Sequence, residues 1–312
     1  MAEIIVGIDI AKKHLDVHLA PAGESFRLAN DAPGHRTLVA RLQGYQVRQV
    51  VLESTGGYEA AVVGELHQAG LPVAVVNPRQ VRDFARATGR LAKTDRVDAE
   101  VLARFGQALQ PSNQAVPDEI TAQIKALVRR RRQLLQLHQA EANHLEHVTD
   151  REILRSIAGV RKVLEKELAW VDRQLHRIIQ SSPLWQAKAQ ILTSTPGISD
   201  TTAASLLANL PELGSLNRRQ VAALVGVAPI NRDSGTLRGK RMTGGGRACV
   251  RRALFMPTLV AIRHNPRLRA FYQHLLANGK PKMTAVIACM RKLLISLNAM
   301  IRDQREWTPI CA

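Results

Sequence analysis

Cysteine is scarce in this sequence, and the other marks of a secreted or membrane-spanning protein are also missing. The three cysteines, Cys249, Cys289 and Cys311, form no CxxC pair, which argues against a structural zinc site and a disulfide framework. No basic segment precedes the first apolar run, and no apolar run reaches about 18 residues, so we expect neither a secretory signal nor a transmembrane helix. The sequence therefore predicts a cytoplasmic protein with no membrane partner.

Acidic residues are nearly absent from the last part of the chain. The whole sequence has 44 Lys and Arg against 26 Asp and Glu, a formal net charge of +18. Residues 1–112 carry 13 basic and 12 acidic side chains, whereas residues 186–312 carry 19 and 5. Because a solvated surface normally intersperses both signs, this separation indicates a polyanionic partner, with nucleic acid as the first candidate. We expect the protein to associate with the nucleic acid of its cell.

The first third of the chain alternates strand and helix patterns. β-rich runs and stretches of helical periodicity predict three strands, a helix, a strand, a helix, a strand and a helix. The predicted strands lie at residues 4–9, 15–19, 25–29, 47–52 and 73–76. This order predicts a mixed α/β domain over residues 1–112.

The middle third is helical and free of proline between residues 120 and 179, with interruptions predicted near Thr149 and Gly159. We interpret residues 113–185 as a helical linker, in which either an intrachain hairpin or a dimerising arm buries the apolar seam. The four arginines at residues 129–132 are either a solvated face or a nucleic-acid contact. Alternating steps of four and three residues, typical of a coiled coil, separate Leu164, Leu168, Val171, Leu175 and Ile178.

Residues 186–312 are predicted to form a mainly α-helical domain. Residues 195–200, followed by an alanine-rich helix, are either a helix-hairpin-helix-like turn, whose backbone amides can hold a phosphate, or a plain tight turn. Further helices are predicted at residues 218–224, 247–265 and 284–301. Residues 231–246 are polar, rich in glycine and without periodicity, which predicts an irregular loop that is either functional or disordered.

Four acidic residues occupy positions at which a metal site can form. Asp9 ends the first predicted strand and Glu53 the fourth, while Asp95 and Asp98 project from one face at the start of a helix. Converging carboxylates are preferred ligands of Mg²⁺ and Mn²⁺, and two such ions can stabilise the attacking and leaving oxygens of a phosphodiester. Each acid alone is better explained as a cap or a turn residue than as a metal ligand. The set of four in this strand order resembles the RNase H/RuvC-like nuclease fold.

A hydroxyl group lies among cations in the glycine-rich loop. Ser234 is followed by Arg238, Lys240 and Arg241, and Arg247 lies a little further on. A serine nucleophile that attacks a phosphodiester needs nearby cations to neutralise its transition state. From this chemistry alone, Ser234 is either such a nucleophile or an ordinary turn residue beside a glycine.

Short motifs follow one another in order along nearly the whole chain. The first four are GIDIAK at residues 7–12, ESTGGY at 53–58, NP at 77–78 and KTDRVDA at 93–99. The next four are PGI at 196–198, GVAP at 226–229, RDSG at 232–235 and RRALFM at 251–256. No single motif is specific, but the ordered set resembles the DEDD transposases of insertion sequences, the family numbered one-ten with its eleven-eleven branch and the Piv-type invertases.

This resemblance implies a RuvC-like domain with Asp9, Glu53, Asp95 and Asp98 as its metal ligands, a coiled-coil linker and a C-terminal transposase domain with a catalytic Ser234. It also implies recombination of element ends and target DNA through a serine–DNA covalent intermediate, in a dimer or tetramer directed by a non-coding guide RNA. We expect nucleic acid to be bound by six cations of the C-terminal domain, namely Arg238, Lys240, Arg241, Arg247, Arg251 and Arg252.

Three functions remain open from the residues themselves. The first is a DNA recombinase with Mg²⁺ and a guide RNA. The second is a metal-dependent, structure-selective nuclease of the Holliday-junction resolvase type, which needs the four acids but in which Ser234 is only structural. The third is a nucleic-acid-binding protein without catalysis, which needs neither the acids nor the serine.

Overall fold

Two compact units make up the computed structural model of the chain, Met1–Val116 and Pro117–Ala312. The structure describes residues 3–90, 94–113, 118–231, 233–239 and 241–308. The first unit is built on a sheet, and the second contains long helices and a few very short strands. The predicted mixed α/β domain followed by a mainly helical region is therefore confirmed.

A five-stranded mixed sheet forms the centre of the first unit. Its strands are β1 (Ile4–Ile10), β2 (His14–Ala20), β3 (Glu24–Ala29), β4 (Val47–Glu53) and β5 (Val73–Val76). The strand order is β3-β2-β1-β4-β5, in which β1, β2 and β3 form an antiparallel meander while β1, β4 and β5 run parallel. All five predicted strands are present.

Helices cover both faces of this sheet. They are α1 (Ala32–Leu42), α2 (Ala60–Gln68), α3 (Pro78–Ala87) and α4 (Asp95–Leu109). Ile4, Val6 and Ile8 of β1 pack in one core with apolar residues of α1 and α2. Ile5 of β1 packs in the other with residues of α3 and α4. Because β1 is buried on both faces, it is apolar almost throughout, and the acid near its end is conspicuous.

The second unit begins with a helical hairpin, α5 (Glu119–His144) and α6 (Arg151–Ser181), joined through a short 3₁₀ turn. The predicted interruption near Thr149 is confirmed. The interruption predicted at Gly159 is wrong, because α6 runs through it without a break. A glycine weakens a helix by only about 1 kcal/mol relative to alanine, and the buried stripe of α6 continues on both sides of it.

The two helices of the hairpin pack against each other, as expected for an intrachain hairpin. Leu164, Val171 and Leu175 of the predicted seam are buried, and the Arg131 guanidinium donates to the Asp172 carboxylate across the hairpin, Nε–Oδ1 2.6 Å. The same hydrophobic core continues into the helices that follow the hairpin. The predicted linker therefore packs with the C-terminal region.

Six further helices complete the second unit. They are α7 (Pro183–Thr193), α8 (Asp200–Asn209), α9 (Arg218–Val225), α10 (Ala248–His264), α11 (Pro266–Ala277) and α12 (Lys282–Asp303). The sequence predicted α8, α9, α10 and α12 but missed α7 and α11. Both missed helices begin with a proline directly after the preceding helix. Proline ends one helix and is also common in the first turn of the next. The sequence pattern alone therefore did not show that a new helix starts at each of these prolines.

Helix α12 is long and apolar enough, by length and composition, to cross a membrane. The expectation of no transmembrane helix rested on the lack of an uninterrupted apolar run, and Arg291 and Lys292 interrupt the apolar residues of α12. Within the described residues, its apolar side chains Leu293, Leu294 and Leu297 are fully buried in the core of the second unit.

The glycine-rich segment between α9 and α10 contains two short antiparallel pairs. Strand β6 (Pro229–Ile230) pairs with β9 (Met242–Thr243), and β7 (Asp233–Ser234) pairs with β8 (Leu237–Arg238). The predicted irregular loop is therefore wrong in part. Two-residue strands are too short to show an alternating pattern, so periodicity could not reveal them.

Candidate active site

Strand register brings two of the predicted acids to the same edge of the sheet. Strands β1 and β4 are parallel neighbours with Ile8 opposite Leu52. The residues that follow this pair, Asp9 and Glu53, therefore lie side by side at the carboxyl ends of the two strands. This is the edge at which open sheets with parallel strands commonly bind ligands.

A glycine contact seats α4 on β1 and brings the other two acids to the same place. A Cβ atom at Gly7 would lie 2.1 Å from the Ala99 carbonyl oxygen and 2.4 Å from the Ala103 nitrogen, so only glycine permits this approach. Asp95 and Asp98 lie in the first turn of α4, where the helix dipole favours negative charge.

The pKa of Asp9 reflects its burial and the charges of nearby acids. Burial of Asp9 raises its pKa, and the negative charges of Asp98, Asp95 and Asp16 raise it further, to about 6. Repulsion among ionised carboxylates is what a bound divalent cation relieves, and carboxylate oxygens suit such a cation. The donor set therefore fits a divalent metal ion.

A fifth carboxylate, which the sequence analysis missed, lies next to Asp9. Asp16 of β2 is directly opposite Asp9 in the antiparallel register and is only 7% exposed. The Arg27 guanidinium, opposite Asp16 on β3, donates to both carboxylate oxygens, Nε–Oδ1 and Nη2–Oδ2 each 2.9 Å. A buried carboxylate needs such a partner, and the bidentate pair supplies it.

Arg27 also links Asp16 to the predicted ligand Asp95. Its Nη2 donates to Asp95 Oδ2 over 3.1 Å, and His14 Nε2 lies 3.4 Å from the same oxygen. The donor atoms of His14, Asp16 and Asp95 all lie within 4.8 Å of one another. Asp95 is thus held through one oxygen. The signal in the sequence was the meander itself, because aligning the first three predicted strands puts Asp9, Asp16 and Arg27 in one row.

The loop after Glu53 is folded around another carboxylate. Glu59 Oε2 accepts hydrogen bonds from Thr55 N at 3.2 Å, Thr55 Oγ1 at 2.8 Å and Gly57 N at 2.8 Å. Burial raises the pKa of Glu59, but these hydrogen bonds outweigh burial and hold the pKa below its usual value. The positive φ of Gly56, 81°, allows the tight turn. Glu59 therefore holds the loop that follows β4 in one conformation.

In the second unit, Ser234 is exposed on β7 at the end of a hairpin. Its backbone pairs with Leu237, and Gly235 makes the turn with φ 56°. The hydroxyl is therefore presented to solvent, as a nucleophile requires. Arg241 is exposed in the same segment, whereas all of Lys240 and the side chain of Arg238 lie outside the described residues.

Two of the six cations predicted to bind nucleic acid make hydrogen bonds within the protein. The Arg247 guanidinium donates to both Glu212 oxygens over 2.5 Å and to the Asn209 carbonyl over 3.0 Å. Arg251 Nη1 donates to the carbonyls of Val225 and Gly245, over 3.0 and 2.8 Å. These bonds fix the ends of the segment that carries the serine.

Arg252 lies on the exposed side of α10. With Arg241 it is one of two predicted cations whose described side chains are turned to solvent. These two are placed to meet a phosphate from outside.

Two family models match the chain. A transposase model of the DEDD type of IS110 matches residues 6–153, and a model of the IS116/IS110/IS902 transposase family matches residues 189–273. The first match includes all four predicted metal ligands, and the second includes Ser234.

Similar proteins include the pilin gene-inverting protein of Moraxella bovis, 27% identical over 324 residues that cover 98% of each chain. An uncharacterized 42 kDa protein of insertion element IS900 from Mycobacterium paratuberculosis is 35% identical over 127 residues, 39% of this chain and 31% of that protein. The similarity to a solved structure, T. thermophilus RuvC in complex with a Holliday junction substrate, is weak. It covers 36% of this chain and 99% of that one, with 12% identity and a TM-score of 0.28.

Proposed function

We propose that the chain is a transposase of the IS110 family, whose models match residues 6–153 and 189–273, and that it cleaves and exchanges DNA strands through a covalent serine–DNA intermediate. Family membership makes it a DNA-processing enzyme of the transposase and recombinase type. The observation that carries our proposal for the chemistry is the acidic edge of the sheet. There, Asp9 and Glu53 are neighbours in register, and the charges of Asp95 and Asp98 reach Asp9.

We assign the four acids as the ligands of a divalent metal ion, with Mg²⁺ as the proposed ion and Mn²⁺ as a substitute. When bound, such an ion stabilises the negative charge that develops on the phosphodiester oxygens. The chain's own residues prepare the site. Arg27 holds Asp95 through one carboxylate oxygen and leaves the other available, while Asp16 holds Arg27. Such outer partners commonly orient metal ligands.

We propose Ser234 as the nucleophile of the same reaction. Its Oγ attacks the phosphorus atom, the bond from phosphorus to one bridging deoxyribose oxygen breaks, and the proton lost by the serine is balanced by protonation of that leaving oxygen. A hydroxyl of the exchanging strand then attacks the phosphoserine, which forms the new DNA linkage and restores the serine. The number of phosphoester bonds is unchanged, so no external energy source is needed. Support for this assignment comes from the exposure of Ser234 and from the cation Arg241 in the same segment.

The guide RNA and the dimeric or tetrameric assembly are part of the proposal as well. They are supported by the family resemblance of the ordered motifs. The nuclease alternative needs only the acidic edge, and it predicts neither a covalent adduct nor a dependence of cleavage on Ser234.

A trapping experiment separates these functions. DNA carrying an element end is incubated with Mg²⁺, the element's non-coding RNA and the full-length protein, and denaturing gels report both strand cleavage and protein–DNA adducts. We expect adducts from the wild type and from Thr236→Ala, a control that removes a neighbouring hydroxyl of the same hairpin. We expect none from Ser234→Ala or Asp95→Asn.

Cleavage without an adduct in both the wild type and Ser234→Ala would instead support the nuclease. Binding without any cleavage would support a protein that only binds nucleic acid.

A further inference from the structure

Helix α6 carries a straight row of cations that the proposed reaction does not use. Successive members of the row are separated by seven, four, seven and four residues, so with 3.6 residues per turn they lie along one face. The row extends over 22 residues, about 33 Å at 1.5 Å per residue. All five side chains are exposed: Arg155, Lys162, Lys166, Arg173 and Arg177. We call these five residues the basic stripe.

The acidic residues of α6 lie partly on the side that faces α5 and partly at the exposed surface. Asp172 pairs with Arg131 of α5 at 2.6 Å. Glu165 Oε1 lies 3.2 Å from His138 Nε2, which is also in α5. Glu152 lies in the first turn of α6, where its negative charge interacts favourably with the helix dipole. Glu167 lies about a third of a turn from the stripe. Two acids of α6, Asp172 and Glu165, therefore contact α5, whereas Glu152 and Glu167 are exposed near the five solvent-facing cations.

An aromatic side chain borders the basic stripe. Trp170 is 46% exposed and lies four residues after Lys166 and three before Arg173, so it neighbours both on the helix surface. A large aromatic ring is costly to leave in water, and aromatic rings beside cations commonly pack against sugars and bases of nucleic acids. The stripe therefore offers apolar contact as well as charge.

We propose that the basic stripe binds the phosphate backbone of duplex DNA. The inference rests on the proposed function, in which DNA is the substrate. The basic stripe is about 33 Å long, which is close to one turn of B-DNA, about 34–36 Å. Duplex DNA presents about one negative charge per 1.7 Å of its axis, so a row of cations of this length meets several phosphates. The contact lies outside residues 186–312, which contain the six cations that we expect to bind nucleic acid.

The test compares duplex binding by full-length proteins over a range of salt concentrations, measured by fluorescence anisotropy. The stripe variant replaces four cations, Arg155→Gln, Lys162→Gln, Lys166→Gln and Arg173→Gln. A matched control removes the same charge from exposed arginines of the first unit, Arg36→Gln, Arg48→Gln, Arg79→Gln and Arg86→Gln. Glutamine is a good helix former, and circular dichroism with a thermal melt checks that each variant is folded.

We expect the stripe variant to bind at least about tenfold more weakly at low salt, with a salt slope smaller by about 3 to 4, since each phosphate contact contributes about 0.9. The control should match the wild type. If the four-residue variant does not fold, the pair Lys162→Gln, Lys166→Gln should lower the slope by about 2. An unchanged slope in the folded variant overturns the inference.

Two further titrations identify the class of partner that the basic stripe binds. Duplex RNA and vesicles of anionic lipid are titrated with the same proteins. A loss of binding in the stripe variant that is larger for RNA or for vesicles than for duplex DNA overturns the assignment to DNA. If the wild type binds no duplex with a steep salt slope, the proposed function itself fails. If the wild type does so and the stripe variant is indistinguishable from it, only this inference fails.

Discussion

Asp9 and Asp16 are paired across two strands, yet their surroundings differ. Asp16 is buried and receives two hydrogen bonds from Arg27, which compensate its charge. Burial and three neighbouring carboxylates raise the pKa of Asp9 to about 6. Pairs of acids whose environments differ in this way commonly divide into a structural and a reactive group. We therefore assign Asp16 to positioning and Asp9 to the reactive site.

Replacing Asp9 by asparagine should stabilise the metal-free protein near pH 8. A pKa raised in the folded state means that the folded protein binds the proton more tightly than the unfolded chain. That contribution to stability is present near pH 4 and is lost as pH rises through about 6. We expect Asp9→Asn to raise the free energy of unfolding at pH 8 by about 1 kcal/mol, discounted for the partial exposure of Asp9.

Urea denaturation with a metal chelator, at pH 5 and pH 8, measures this effect. The advantage of Asp9→Asn over the wild type should grow with pH, while the exposed control Asp83→Asn should show no such trend. A variant less stable than the wild type at pH 8 would show that repulsion does not dominate the site.

Removing Arg27 should leave Asp16 buried without its partner. We expect Arg27→Gln to lower the free energy of unfolding, and Arg27→Lys to recover only part of the loss, because an ammonium cannot make the bidentate pair. In a double-mutant cycle, adding Asp16→Asn should cost less in the Arg27→Gln background than in the wild type. Additive losses would mean that the two side chains are not coupled.

At the scale of elements, the acidic edge depends on how closely α4 approaches β1. A methyl group at Gly7 would collide with the backbone of Ala99 and Ala103. We expect Gly7→Ala to lower the free energy of unfolding by about 3 kcal/mol or more and to abolish cleavage, because α4 carries Asp95 and Asp98.

A second glycine gives the matched control. Gly64 lies inside α2 with open space around its Cβ position, so Gly64→Ala should stabilise the protein by about 0.5–1 kcal/mol and leave cleavage unchanged. Chemical denaturation and the cleavage assay measure both variants. Equal behaviour of the two would contradict the close-packing argument.

The sequence predicted the elements that depend on local pattern and missed what depends on register. Apolar runs and turn residues were sufficient for all five strands of the sheet. The pairing of Asp16 with Arg27 joins two strands and shows only when the strands are aligned. The same limit applies to Arg247, whose partner Glu212 is 35 residues away. The charge distribution predicted that Arg247 binds nucleic acid, because a count of charges does not show which cations are paired within the folded protein.

At the scale of the whole molecule, the cationic excess of the second unit divides into two classes. Arg247 is paired with Glu212, whereas Arg252 is exposed on α10. We expect Arg252→Gln to weaken DNA binding and lower its salt slope by about 1 with no change in thermal stability. Arg247→Gln should instead lower the free energy of unfolding by about 1–3 kcal/mol, because it leaves Glu212 without its cation. Salt titrations and thermal melts of both variants measure this, and a reversed pattern would contradict it.

The central claim is that one chain combines a carboxylate site with a serine nucleophile. The most direct measurement is mass spectrometry of the trapped protein–DNA complex after nuclease and protease digestion. Our account predicts a nucleotide mass on Ser234 and on no other residue, and no such mass after Asp95→Asn. A nucleotide mass on Thr236, Thr243 or a tyrosine, with Ser234 unmodified, would contradict it.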